Sequence, residues 1–188
     1  MKRCEWVGDY PDMIKYHDKE WGKPCHNDKI LFEYIILDTF QAGLSWLTMI
    51  KKRENFRKAF DGFDYKKVAK YKKRDFNRLM KDVGIIRNRL KINSAILNAQ
   101  KFIEIQKEFG SFSKYIWKFV NNKPIKNKYK HMKELRSSTS LSDKISKDLK
   151  ERGFKFVGTT IIYAFMQGMG IVNDHTVDCF RYKEVQKN

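Results

Sequence analysis

The sequence predicts an all-α fold, and three observations lead to this prediction. Apolar residues recur mostly at helical spacing, the 188 residues include only 3 prolines, and no run alternates between apolar and polar long enough to build a sheet. A chain of this length forms one domain, so we expect residues 1–188 to share a single core. With 41% hydrophobic and 14% aromatic residues, the chain can fill that core.

The first half of the chain predicts two long helices. Asn27 or Asp28 caps the first, whose apolar residues run to Asp38. The second starts at about Ser45 and reaches about Phe60. We expect Asp38 at the end of its helix.

A short helix follows from Asp75, because its apolar residues lie at i, i+3, i+4 and i+7, and Gly84 ends it. Further apolar stripes predict helices over 92–103 and 111–120. The polar, Lys-rich stretch 121–136 predicts a loop.

Two helices complete the prediction. Ser140 and Asp143 form a capping box for the first, and Gly153 ends it. The last is apolar, spans 159–169 and closes at Gly170.

The chain is strongly basic, with 40 Lys+Arg against 22 Asp+Glu and a formal net charge of +18. This charge favours nucleic acid as the partner. An anionic membrane surface and a Lys-biased genome are the alternatives. No apolar run reaches the ~18 residues of a membrane span, and the first residues lack the apolar stretch of a secretion signal. We therefore expect no membrane contact.

A glycine turn between two helices is the first candidate contact with DNA. At Gly84 and Ile85 the turn presents the backbone N–H groups and the positive end of the second helix, which suit a phosphate. Arg87 and Lys91 add charge at the same end. This pattern is typical of a helix-hairpin-helix, here over about 75–103, which binds the DNA backbone without reading sequence. A helical hairpin without a DNA-binding role is the alternative.

Aromatic residues concentrate near the N-terminus. A cluster of six aromatic residues could form a box of π-faces beside Asp38, which suits a flat, positively charged ligand. The six are Trp6, Tyr10, Tyr16, Trp21, Phe40 and Trp46. In the alternative interpretation the rings fill the core and Asp38 is a solvated charge at a helix end.

Two Cys–His pairs offer metal ligands. On a helix, His175 and Cys179 would face the same way at i and i+4, and Cys4 and His17 provide the same ligand types at the other end of the chain. Together they form a Cys₂His₂ set suited to tetrahedral Zn²⁺. Alternatively, the four are unrelated surface and core residues. The odd count of 3 cysteines argues against a disulfide framework.

These same residues resemble the bacterial DNA-3-methyladenine glycosylase I family, alkylation-repair enzymes of the helix-hairpin-helix superfamily. The blocks Gln-Ala-Gly-Leu-Ser-Trp at 41–46 and Gly-Phe-Lys-Phe-Val-Gly at 153–158 are the most specific. The other matching stretches run in family order and are 3–6, 16–18, 20–22, 52–54, 84–87 and 172–175.

The resemblance implies roles for these residues. A structural zinc falls on Cys4, His17, His175 and Cys179, which would join the segments 1–25 and 171–180. The remaining implied site residues are Asp38 and Tyr16 for catalysis, Trp6, Trp21 and Trp46 for the base, and Gly43, Leu44, Gly84, Ile85 and Arg87 for DNA. Lys91 joins the DNA-binding set because of its charge beside the hairpin. Within that set, Gly43 and Leu44 would wedge into the duplex.

Two positions depart from the family pattern. The family commonly has Glu where this chain has Asp38, so the pocket must be narrower by about one methylene or use a bridging water. Met13 stands where a tyrosine is often found.

The implied reaction is hydrolysis of the N-glycosidic bond of 3-methyladenine in double-stranded DNA, by a monomer in the bacterial cytoplasm at the nucleoid. It would release the free base and leave an abasic site without strand cleavage. Related glycosylases use a catalytic Asp after the hairpin, but none lies between Asp82 and Asp143, which fits a labile, cationic base. A non-catalytic DNA-binding module and an RNA- or tRNA-binding zinc protein are the rival functions.

Overall fold

Helices make up most of residues 1–186, the part of the chain that the computed structural model describes. The α-helices are α1 Pro11–Lys19, α2 Asp28–Gln41, α3 Trp46–Ala59, α4 Tyr65–Val68, α5 Lys73–Lys81, α6 Arg89–Phe109, α7 Phe112–Trp117, α8 Ser140–Glu151, α9 Thr159–Gly168 and α10 Phe180–Glu184. Short 3₁₀ helices lie at Glu5–Val7, Asp61–Phe63, Lys118–Val120 and Met132–Glu134. The chain is mostly helical, as predicted. None of the helices within 1–186 is long and apolar enough to cross a bilayer.

One small parallel sheet was not predicted. Strand β1 (Ile125–Lys126) pairs with β2 (Val172–Asn173), so Ile125 lies opposite Val172. The prediction of a loop over 121–136 is therefore wrong at β1 and at the 3₁₀ turn that begins at Met132. Two residues per strand are too few for an alternating pattern, which is why the sequence did not reveal the pair.

Local hydrogen bonds explain where several helices begin. The side chain of Asn27 accepts hydrogen bonds from the backbone N–H groups of Lys29 and Ile30, and Ser45 accepts one from Thr48. These two caps confirm the predicted starts of α2 and α3.

Two predicted helix starts are shifted. Asp75 lies in the third position of α5, where its carboxylate accepts a hydrogen bond from the N–H of Lys72 at 3.2 Å. In α8 the capping box consists of Thr139 and Ser142, each accepting from the other's backbone N–H, instead of Ser140 and Asp143. Both shifts are small. Asp75 still lies in the first turn of α5, and in α8 Thr139 and Ser142 have the same capping chemistry as Ser140.

Helix α2 lies at the centre of the fold and packs against α3, α6, α7 and α9. Its residues 31–40 are all buried, as expected for a helix enclosed on every side. Since α2 continues to Gln41, Asp38 lies inside the helix and not at its end.

Candidate active site and metal cluster

A cavity of about 290 Å³ opens beside α2. Trp6 enters it from the first 3₁₀ helix, Tyr16 from α1, Asp38 from α2 and Trp46 from the start of α3. The other lining residues are Met13, Trp21, Gln41, Met132, Leu135, Arg136, Ala164 and Gln167. The structure thus brings together the predicted carboxylate and four of the six clustered aromatic residues. Tyr10 is instead exposed, and Phe40 is buried in the core.

The aromatic rings meet edge to face or tilted. The ring centroids of Trp6 and Trp21 are 4.8 Å apart at 69°, and those of Tyr16 and Trp46 are 5.4 Å apart at 53°. The indole nitrogens of Trp6 and Trp46 are buried and have no hydrogen-bond partner among the described residues. These N–H groups are therefore unsatisfied donors within two of the rings that line the cavity.

Asp38 is only 3% exposed, which excludes the alternative of a solvated charge. Its Oδ2 is buried and has no hydrogen-bond partner within residues 1–186. Burial raises the pKa of Asp38 well above its usual value. An unpartnered buried carboxyl oxygen costs stability, so a ligand that donates a hydrogen bond or carries positive charge is favoured here.

Tyr16 is buried beside this carboxyl. Burial raises the pKa of Tyr16, and the negative charges of Asp38 and Glu20 raise it further. The phenol therefore keeps its proton and can donate a hydrogen bond within the cavity.

A buried cluster joins the two ends of the chain. Cys4, His17, His175 and Cys179 each offer one ligand atom, and these atoms all lie within 4.8 Å of one another. The Sγ of Cys179 is 3.5 Å from Nε2 of His17 and 3.6 Å from Nδ1 of His175. Zinc bonded to thiolates and imidazoles at about 2.0–2.3 Å holds neighbouring ligand atoms about 3.3–3.8 Å apart, so the cluster is compatible with a metal site.

The opposite ring nitrogens of both histidines have partners outside the cluster. Nδ1 of His17 lies 2.8 Å from Asp18, and Nε2 of His175 lies 3.0 Å from the carbonyl of Trp21. Such partners leave Nε2 of His17 and Nδ1 of His175 free to face a metal. His175 and Cys179 lie in a turn and not on a helix, so the i, i+4 argument placed them correctly for the wrong reason.

The hairpin turn lies between α5 and α6. The carbonyl of Gly84 accepts hydrogen bonds from Nζ of Lys52 and Nδ2 of Asn55, both on α3. A Cβ at Gly84 would lie 3.1 Å from Cβ of Asn55, so glycine permits the close approach of α3. Ile85 is buried, whereas Arg87 is exposed.

Lys91 does not join Arg87 on the surface. It is 7% exposed, and its Nζ donates hydrogen bonds to the carbonyls of Phe40 (2.8 Å) and Ala42 (2.6 Å). The prediction that Lys91 contacts DNA therefore does not match its position, because its ammonium lies against the end of α2.

The segment between α2 and α3 carries the predicted wedge. Gly43 has φ of +81°, a conformation that favours glycine, and Leu44 is 39% exposed. An exposed leucine at the tip of a turn, next to the cavity that holds Gln41, is free to contact a partner.

Sequence comparison agrees with this site. A model of the methyladenine glycosylase family matches residues 6–182. DNA-3-methyladenine glycosylase 1 of Escherichia coli is 50% identical over 182 residues, which is 97% of each chain. DNA-3-methyladenine glycosylase of Haemophilus influenzae is 48% identical over 177 residues, 94% of this chain and 96% of that one.

The chain belongs to the methyladenine glycosylase family. Members at this level of identity are DNA N-glycosylases, so the chain is a hydrolase of that class. The Y16F variant of a 3-methyladenine DNA glycosylase I, solved in complex with 3-methyladenine, matches this fold with a TM-score of 0.93. It is 36% identical, and the match covers 96% of this chain and 97% of that one.

Sequence reasoning missed a second part of this glycosylase site. Residues 127–139, here called the strap, contribute Met132, Leu135 and Arg136 to the lining of the cavity. Lys130, Lys133 and Arg136 in the strap are exposed. The available signal was two apolar residues, at 132 and 135, within an otherwise polar and basic stretch.

A buried ion pair behind the aromatic rings was also missed. Nε of Arg53 donates to Glu33 at 2.6 Å, and its Nη1 donates to Glu20 at 2.7 Å. Glu20 also accepts a hydrogen bond from the hydroxyl of Tyr34, whose ring lies 6.3 Å from that of Tyr16. These bonds hold Tyr34 beside Tyr16, which lines the cavity, and the matching stretches 20–22 and 52–54 were the signals for them.

Proposed function

We propose that this chain removes 3-methyladenine from alkylated double-stranded DNA by hydrolysing the N-glycosidic bond. The observation that carries the proposal is the unpartnered, buried Oδ2 of Asp38 in a cavity lined by aromatic rings. In a member of this family, that combination suits a flat base with positive charge. The relatives from E. coli and H. influenzae carry this activity in their names.

Charge explains the choice of base. Methylation at N3 makes adenine a cation while it is still bound to deoxyribose, whereas unmodified adenine is neutral. Burial raises the pKa of Asp38, and the positive charge of the bound base would lower it again, so Asp38 would give up its proton beside the cation. The resulting carboxylate would attract the cation, and Trp46 and Tyr16 would stack on it or lie against it. Normal adenine would gain neither the charge attraction nor the full stacking advantage.

The reaction needs little acid catalysis because the leaving group is already activated. The C1′–N9 bond breaks, its electron pair neutralises the methylated base, and positive charge develops on the sugar. The oxygen of a water bonds to C1′ and gives a proton to solvent. Extracting the base costs a few kcal/mol, and stacking in the cavity returns roughly 1–3 kcal/mol per base.

Each residue has a part in this proposal. Asp38 accepts hydrogen bonds from the edge of the base and favours its cationic form, Tyr16 donates a hydrogen bond, and Trp6, Trp21 and Trp46 enclose the ring. Most of the free energy of DNA binding comes from phosphate contacts that do not depend on the base sequence.

Those contacts come from three places around the cavity. The N–H groups of Gly84 and Ile85 already donate to Asp82, so the phosphate contact at this turn is assigned to the exposed Arg87. Leu44 after Gly43 fills the gap that the base leaves. The strap adds the exposed cations Lys130, Lys133 and Arg136, the last of which also lines the cavity. One chain forms the whole cavity, so a monomer suffices.

The strand stays intact in this proposal. Strand cleavage by a glycosylase uses an amine that bonds to C1′. No lysine is among the described residues that line the cavity, and the ammonium of Lys91 is bound to backbone carbonyls.

The Cys₂His₂ cluster is proposed to hold one structural Zn²⁺. All four ligands are protein side chains, which leaves no open position for substrate. When bound, the metal would link the start of the chain to the segment around His175 and contribute to folding.

The decisive experiment is release of free 3-methyladenine from methylated duplex DNA, separated by chromatography. Release of this base, with 7-methylguanine left in place and no nicked strand, supports the proposal. A folded protein that binds DNA and releases no base would instead favour the non-catalytic DNA-binding module. Stronger competition by RNA than by duplex DNA would favour an RNA-binding role.

A further inference from the structure

The contact between Lys91 and the end of α2 is the strongest feature that the proposed function leaves unexplained. The last carbonyls of a helix lack partners within the helix and carry its negative dipole. The ammonium of Lys91 donates to one of them, at Phe40, and to the carbonyl of Ala42, the residue that follows α2. Burial lowers the pKa of Lys91, so these bonds compensate a desolvated charge.

The end of α2 is also where the cavity and the wedge join. Asp38 lies about one helical turn before Ala42, the residue that follows α2, and the chain continues directly through Gly43 and Leu44. Ser45 then caps α3, which begins with Trp46 in the cavity. A shift of this segment would therefore move the wedge relative to both the carboxylate and the aromatic ring.

Lys91 itself stands in the first turn of α6, directly after the hairpin. Its backbone N–H is held by the side chain of Asn88 at 3.1 Å. On the other side, Lys52 and Asn55 connect α3 to the carbonyl of Gly84. Two hydrogen-bonded connections thus tie the hairpin to the two helices that border the wedge.

We propose that Lys91 is a positioning residue that fixes the Ala42–Leu44 segment relative to the hairpin. When the hairpin holds the DNA backbone, this connection places Leu44 at the base pair to be opened and Asp38 at the extracted base. The inference rests on the proposed glycosylase function. It assigns Lys91 to the alignment of DNA with the cavity and not to a phosphate contact.

The test compares Lys91→Met with Lys107→Met. Methionine keeps most of the length of lysine and removes its three donors, while Lys107 is an exposed residue in the last turn of α6. The two variants lose the same charge from the same helix. Both are studied at a temperature at which circular dichroism shows them fully folded.

Lys91→Met is expected to slow single-turnover release of 3-methyladenine from methylated duplex DNA by about tenfold or more, because small misplacements are costly at a reacting centre. Two affinities should stay within twofold of those of Lys107→Met: the affinity for unmodified duplex DNA and the affinity for free 3-methyladenine. The slope of log affinity for DNA against log salt should be the same in both variants. Lys91→Arg, which retains donors, should recover part of the rate.

Two results would overturn the inference. An unchanged release rate would remove any positioning role. A slope of log affinity against log salt that is shallower by about 1 in Lys91→Met alone would make Lys91 a phosphate contact. If Lys91→Met does not fold, Lys91→Gln is used instead. It must slow the release of 3-methyladenine while its affinity for duplex DNA stays unchanged.

Amide exchange separates this inference from the proposed function. If the wild-type chain releases no base, the proposed function fails, yet Lys91 can still be tested. Faster hydrogen exchange at residues 42–44 in Lys91→Met than in Lys107→Met supports the inference. Equal exchange in the two variants overturns it.

Discussion

Cys4 and His175 are in contact although 171 residues separate them, with Sγ of Cys4 3.6 Å from Nδ1 of His175. The backbone N–H of Phe180 also donates to the carbonyl of Lys2 at 3.0 Å. These contacts join the first residues of the chain to the segment around residues 175–180. The same C-terminal segment supports the strap, because Val177 donates to the carbonyl of Tyr129.

Replacement of Cys4 should release the metal and destabilise the fold. Cys4→Ala removes one of four ligands from a buried site, so we expect about one zinc per wild-type chain and almost none in the variant. Loss of at least about 2 kcal/mol corresponds to a Tm lower by roughly 4–8 °C for a chain of this size. Elemental analysis and thermal melting measure the two effects.

Cys25→Ala is the matched control, since Cys25 is a free, half-buried cysteine outside the cluster. It should keep both the metal and the Tm. Full metal content in Cys4→Ala, with an unchanged Tm, would contradict the proposed zinc site. His175→Ala should behave as Cys4→Ala does.

Asp38→Ala should separate catalysis from DNA binding. In the proposed function the buried carboxyl contacts the base and no phosphate, so its removal is expected to slow base release by about a hundredfold or more. Affinity for unmodified duplex DNA should stay within about twofold, because phosphate contacts supply most of it. Single-turnover release and a fluorescence binding titration measure the two quantities.

Asp143→Ala serves as the control, because it removes the same charge from an exposed position on α8. It should leave release and binding as in the wild type. Equal losses of release and affinity in Asp38→Ala would show that the carboxyl supports the fold of the site instead of the reaction.

Asp38→Asn should stabilise the protein at neutral pH. Burial raises the pKa of Asp38 in the folded state, so the folded protein keeps a proton that the unfolded chain loses above about pH 4. The stability that this carboxyl contributes is complete below its unfolded pKa and is lost as pH rises through the folded pKa. An uncharged amide avoids that loss.

Thermal melting between about pH 3.5 and pH 8 tests the predicted direction of this pH dependence of stability. The difference in Tm between Asp38→Asn and wild type should be positive at pH 8 and shrink toward low pH. Asp143→Asn, at an exposed position, should show no such trend. A variant that is less stable than wild type at pH 8 would contradict the cost assigned to the buried carboxyl.

Local chemistry made some of the fold predictable. Asn27 and Ser45 cap α2 and α3 through bonds that span two or three residues, so the sequence itself contains both partners. The sheet pair was not predictable in this way, because Ile125 meets Val172 only after the chain has folded.

The same distinction holds in the site. Residue type and the family resemblance pointed to Asp38 and the aromatic rings, and the structure places them in one cavity. Charge suggested a surface role for Lys91, but its burial depends on the end of α2, far away in the sequence. The sequence did not reveal that the strap belongs to the site, because a polar composition predicts a loop but does not show that the loop lines a cavity.

The strap should contribute to DNA binding through its exposed cations. Lys133→Gln combined with Arg136→Gln removes two exposed charges from the strap, so log affinity for duplex DNA should fall less steeply with log salt, by about 2 in slope. Lys144→Gln combined with Lys147→Gln removes two exposed charges from α8 as a matched control. Binding titrations across a salt series should show the wild-type slope for the control pair. Equal slopes for both double variants would mean that the strap lines the cavity without touching the phosphates.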